Sequence, residues 1–100
     1  MLLTTTDVKV EYEVLGIVVG SKVKAVHLGK DIIAVFRKLI GGDVSEYSQL
    51  LNDVREAALT EMADKAKKMG ANAVIGIRFA SSTISTGMAE IYAYGTAIKI

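Results

Sequence analysis

From Tyr47 to Met69 the apolar residues Tyr47, Leu51, Val54, Ala58, Met62, Ala66 and Met69 recur in steps of three and four. That spacing draws one stripe down an α-helix and constrains the fold more than any other feature of the chain. Asp43 precedes the stripe with Glu46 three residues later, the spacing of a capping box. Acidic residues at the start and Lys65, Lys67 and Lys68 at the end suit the helix dipole. Glu61 with Lys65 and Asp64 with Lys68 add ion pairs one turn apart.

The residues just past the stripe fix its end. In "KKMGANAVIGIRF" (Lys67 to Phe79) Gly70 stands directly after the last stripe residue, where a left-handed terminating glycine belongs. "AVIGI" then reads as a buried strand, with Gly76 expected where another chain segment approaches closely. A dinucleotide-binding turn needs its glycines between a strand and the start of a helix. Here the order is helix, glycine, strand, so the nucleotide reading fails.

Ahead of the helix, Val8, Val10, Tyr12 and Val14 alternate with Lys9, Glu11 and Glu13, the pattern of a half-buried strand. At "LGIVVG" (Leu15 to Gly20) the alternation stops and both faces become apolar, as in a strand covered on two sides. "DIIAVFRKLI" (Asp31 to Ile40), closed by Gly41 and Gly42, reads as a short helix. "SSTISTG" (Ser81 to Gly87) reads as a polar connection in a hairpin. In the closing strand, Ala89, Ile91, Ala93, Gly95 and Ala97 make a face small enough for the long helix to lie close. The other face carries Met88, Glu90, Tyr92, Tyr94, Thr96, Ile98 and Ile100.

At 100 residues the chain fits a single domain spanning residues 1–100. Its apolar share of 51% and mean hydropathy of +0.37 are high for so small a body. A compact monomer of this mass exposes on the order of 5,500 Å². If helices cover one face of the sheet, Leu15, Ile17, Val19, Ile98 and Ile100 form a wet apolar patch that a second copy is expected to cover. The net charge of +1, from 12 basic and 11 acidic residues, supplies no field to gather nucleic acid. The start "MLLTTTDVKV" lacks the basic region and apolar core of a signal peptide, and no apolar run approaches the roughly 20 residues that span a bilayer. A soluble, cytoplasmic protein is expected.

Cysteine is absent, which removes disulfides, thiol nucleophiles and Cys-based zinc sites. His27 is the sole histidine. Its neighbours Lys22, Lys24, Lys30 and Asp31 form no ligand set, so it serves a metal only where a symmetric ring converges several copies on an axis. No catalytic residue and no cofactor motif can be assigned. Ser81, Ser82 and Ser85 read as turn residues, and Asp53 with Glu56, or Glu61 with Asp64, as a solvated helix face. Lys22, Lys24, Lys30, Arg37 and Lys38 form a basic region without the interleaved aromatics that single strands stack on. The first reading is a non-enzymatic homo-oligomer, with subunit interfaces as the place for a small ligand or metal ion. The alternatives are an enzyme whose site is shared between subunits, built from such residues as Lys22, His27, Asp31 and Tyr47, and a weak nucleic-acid binder.

The segments "TTT", "LGIVVG", "KDIIAVFRKLIGG", "AALTEMADKAKKMGANAVIGIRF" and "YGTAIKI", in this order, resemble the YbjQ-like family of small bacterial and archaeal proteins. The resemblance covers nearly the whole chain, and "GANAVIG" after a long helix is its most specific part. It implies an α+β subunit, an antiparallel sheet against one long and one short helix, assembled as a homo-oligomeric and pentameric ring. It also brings a loose heavy-metal-binding label, but no catalytic residue.

Overall fold

The structure, a computed structural model, describes residues 1–25, 45–85 and 88–100. Among these, the elements in chain order are β1 (Leu2–Leu3), β2 (Glu13–Ala25), α1 (Ser45–Lys68), β3 (Ala73–Ser85) and β4 (Met88–Lys99). The strands form one sheet in the order β1-β3-β4-β2. β4 is antiparallel to both of its neighbours, whereas β1 pairs parallel with β3 through Leu2–Ala73 and Leu3–Val74. The sheet is therefore mixed, where a purely antiparallel one was expected. The parallel pair arises because the long helix carries the chain back to start β3 beside β1. The expected short helix, Asp31–Ile40, and the cap residue Asp43 lie outside the described residues.

The stripe becomes the core. Val54, Ala58, Met62 and Ala66 are buried, with Leu51 partly so, against Val18 of β2, Val74 and Ile77 of β3, and Ile91, Ala93 and Ala97 of β4. The small face read from the closing strand is the face under the helix. Two close approaches make this packing possible. A β-carbon on Gly20 would meet the Ala58 carbonyl oxygen at 2.2 Å, and one on Gly95 would meet the Ile75 carbonyl oxygen at 2.9 Å. Interiors pack too densely for either site to absorb a methyl group freely.

α1 ends as its sequence predicts. The Gly70 amide donates to the Lys67 carbonyl and the Ala71 amide to that of Ala66, while Gly70 takes φ +90°. Gly76 has a different task from the one expected. Nothing lies within 4 Å of a β-carbon built there, and its φ is +64°. It sits where the β3–β4 register shifts between Ile75 and Arg78, so the glycine serves a bulge rather than a close contact. A second shift, between Val14 and Gly16, falls at Gly16 with φ +144°. Each bulge slips the alternation by one residue.

Residues 8–12 were expected to begin the first long strand, but β2 starts at Glu13. The segment instead crosses the sheet, and Val8 and Tyr12 pack over buried Ala73, Ile75 and Ile98. Ile98 is fully buried there and so leaves the wet apolar patch in which the sequence seemed to place it. Ser81, Ser82 and Ser85 are strand residues of β3, not a loop. Pairing with β4 overrides their weak strand preference.

Candidate functional site

Alternation on β4 sorts the sheet into two faces. Ala93, Gly95 and Ala97 lie under α1, so Tyr92, Tyr94 and Thr96 lie on the opposite face with their cross-strand partners. Those partners are Ser21, Val19 and Ile17 on β2, and Ala80, Arg78 and Ile75 on β3. The N-terminal crossing segment covers only the Ile75–Ile98 end. Beyond it Ile17 is 80% exposed, and Val19 and Tyr94 are each 41% exposed. Val14, paired with Ile98, adds a further exposed apolar side chain. The patch is contiguous across two paired strands, unlike the scattered apolar residues of an ordinary surface.

The polar groups beside this patch are engaged locally. Arg78 donates to the backbone oxygens of Thr5, at 3.0 Å, and Ile77, at 2.8 Å, which ties the crossing segment to β3. Tyr92 Oη lies 3.5 Å from Ser82 Oγ. At the start of the crossing, the Tyr12 hydroxyl donates to Asp7 Oδ1 at 2.8 Å, and the Val8 amide donates to the same oxygen. Donation to the Asp7 carboxylate, with slight desolvation and the carboxylate charge, raises the Tyr12 pKa above 10.0. None of these groups forms a nucleophile–base pair.

Among the described residues, two stretches at the rim of the sheet have no strand beside them. β2 is an outer strand along its whole length. On the other side, β1 and Thr4 cover β3 only as far as Ile77, whose amide donates to the Thr4 carbonyl. Glu61 Oε2 on α1 accepts from the Ser21 amide at 2.6 Å, while its other oxygen lies 3.9 Å from Lys65. Glu61, expected on a solvated face, thus closes one rung of the β2 edge. Sequence reasoning missed this because the spacing to Ser21 depends on where helix and strand cross. The Arg78–Thr5 link was missed because it depends on where the N-terminal segment crosses β3, and the Asp7–Tyr12 link because residues 8–12 were read as a strand.

Of the residues singled out from the sequence, Lys22 is exposed on β2, and Asp53 and Glu56 are exposed on α1. Lys24 and Tyr47 lie on β2 and α1 respectively. His27, Lys30, Asp31, Arg37 and Lys38 lie outside the described residues, and with them most of the proposed shared site. Among the described residues no group of three or more His, Cys, Asp or Glu is placed to hold a metal ion. None of their helices is long and apolar enough to cross a membrane.

Comparison with known proteins agrees with this picture. A family model described as "putative heavy-metal-binding" matches residues 1–100. A UPF0145 protein of Fervidobacterium nodosum is 52% identical over 100% of this chain and 95% of its own length. One of Pyrococcus furiosus is 53% identical over 88% of this chain and 77% of its own length. The crystal structure of a protein of unknown function, of the DUF74 family from Pediococcus pentosaceus, superposes with a TM-score of 0.74. It covers 100% of this chain and 97% of its own, at 16% identity, and so speaks for the fold alone. The heavy-metal description finds no donor set among the described residues. With its whole length matched by the family model and by relatives about half identical, the chain belongs to the YbjQ-like family.

Proposed function

We propose that the protein is a non-enzymatic, cytoplasmic homo-oligomer, closed as a ring, whose role is exercised at the interfaces between its subunits. The open apolar face carries this reading: Ile17, at 80% exposure, stands beside Val19 and Tyr94 on a sheet whose other face is already under α1. At about 25 cal/mol per Å², covering such a face represents several kcal/mol before the costs of association. Five subunits is the number that the family resemblance implies. A small ligand or metal ion belongs between subunits, because the described part of one subunit gathers no ligand set.

Native mass spectrometry of protein purified without chelator, with sedimentation at micromolar concentration, tests the reading. The expected result is a defined multiple of 10.7 kDa. Ile17→Glu should dissociate it, whereas Lys67→Glu, on an exposed helix residue, should leave it intact. A monomer for the unaltered chain would overturn the proposal.

A further inference from the structure

We propose that Arg78 anchors the carboxylate of a small amphiphilic organic acid, whose apolar body lies across Tyr94 and Val19. The proposal rests on the interfacial reading for the setting of the site. Every group it names belongs to one chain, however, so the two can fail separately.

The guanidinium is held from one side. Its Nη1 donates to the main-chain oxygens of Thr5, at 3.0 Å, and Ile77, at 2.8 Å. Nη1 is the nitrogen on the Cδ side of the group. The opposite edge, formed by Nε and Nη2, carries the parallel donors that grip a carboxylate with two bonds. Among the described residues neither of those nitrogens has a partner, and no acidic side chain pairs with Arg78. Asp7 in the crossing segment already accepts from the Tyr12 hydroxyl and the Val8 amide. Glu90 shares the face but stands four residues along β4 from Tyr94, about 13 Å away in an extended strand. Main-chain carbonyls are dipoles, so they steady the arginine without neutralising it. A ligand then need not immobilise this long side chain, and binding loses less entropy.

The surroundings choose the rest of the ligand. Arg78 pairs with Tyr94 on β4, and Tyr94 with Val19 on β2, in one row on the face away from α1. Neighbouring strands lie about 5 Å apart, so the row runs about 10 Å, close to the length of an octanoate ion. Tyr94 and Val19 give that length an apolar bed, and exposed Ile17 extends it into the next row. The rows on either side, Ile75–Thr96–Ile17 and Ala80–Tyr92–Ser21, bring no second cation. One fork with one positive charge matches a monoanionic carboxylate better than a phosphate with two charges.

Calorimetric titration of the unaltered chain with octanoate tests this. Octanol has a like body and no charge, and inorganic phosphate has charge and no body. Octanoate is expected to bind at least tenfold more tightly than octanol and to raise Tm, while phosphate at the same concentration leaves Tm unchanged. Arg78→Lys keeps the charge but loses the two-donor edge, and should weaken octanoate about tenfold or more while sparing octanol. The lysine also loosens the hold on Thr5, so its Tm without ligand is expected to fall; the quantity compared is the shift that octanoate adds. Tyr94→Thr leaves Arg78 in place and should weaken octanoate and octanol alike, which keeps the test open should Arg78→Lys not fold. Equal affinity for octanoate and octanol would overturn the proposal, as would unchanged octanoate binding in folded Arg78→Lys. Phosphate binding as tightly as octanoate would make this a site for inorganic anions and overturn it as well. So would loss of assembly in Arg78→Lys with no octanoate bound by the wild type, since the arginine would then hold a carboxylate of a neighbouring copy. A monomeric wild type that binds octanoate through Arg78 would sink the homo-oligomeric reading and leave this one standing.

Discussion

The α-carbon of Gly20 on β2 lies against the backbone of Met62 on α1, so close that a β-carbon there would stand 2.3 Å from the Met62 amide nitrogen. The obstacle is helix backbone, which cannot swing aside as a side-chain end can. Gly20→Ala should therefore push α1 off the sheet and cost about 1–3 kcal/mol or more. For a domain of this size each kcal/mol lowers Tm by roughly 4–8 °C. A melting curve at fixed protein concentration that matches wild type would show that the helix yields without cost.

Gly70 offers the opposite case. Nothing lies within 4 Å of a β-carbon built on it, but its φ is +90°. Only backbone strain opposes a side chain there, about 1–2 kcal/mol for an ordinary residue. Gly70→Val should destabilise clearly and Gly70→Asn less, since asparagine tolerates the left-handed region. Equal losses in denaturant unfolding would contradict this account.

Tyr12 should reveal its bond to Asp7 in an alkaline titration. The phenol's pKa is raised above 10.0 in the folded chain, so the folded state holds its proton more firmly than the unfolded state. The stability this contributes is fully present below pH 10.0 and is lost as pH climbs through the folded pKa. The phenolate absorbance that disappears in Tyr12→Phe should move to lower pH in Asp7→Asn. No movement would mean that the 2.8 Å contact does not govern the titration.

Metal binding is open to direct test. With one imidazole and no thiol per chain, titration with zinc or copper should show no sub-micromolar site within a subunit. Tight binding that survives His27→Ala would mean that other ligands were overlooked. Tight binding abolished by it would place His27 at an axis shared by several copies.

The parts of the fold that were legible in the sequence are those decided by local chemistry. The stripe of α1, the stop at Gly70 and the small face of β4 each come from periodicity or from one residue's conformational freedom. The parts that could not be read depend on partners far along the chain. Val8, Val10 and Tyr12 alternate like a strand, yet Val8 and Tyr12 pack across the sheet at Ala73, Ile75 and Ile98. Nothing in "LGIVVG" distinguishes Gly20, required by the helix, from Gly16, required by a bulge. The place of each strand in the sheet was invisible for a related reason: strand order is not written within a strand, and alternation is the same at the centre as at the rim.

The strand order also dictates when the fold can form. β4 is the partner of both β2 and β3, yet it comes after both in the sequence, and Glu13 finds its rung only at Lys99. As the chain leaves the ribosome, β2 therefore emerges early and waits without a ladder while α1 and β3 are made. Contacts so distant in sequence slow folding, because a long loop must close before any pairing rewards it. Refolding should accordingly be limited by the arrival of β4, with α1 helical beforehand, and the apolar β2 is the segment a chaperone would meet first during that delay.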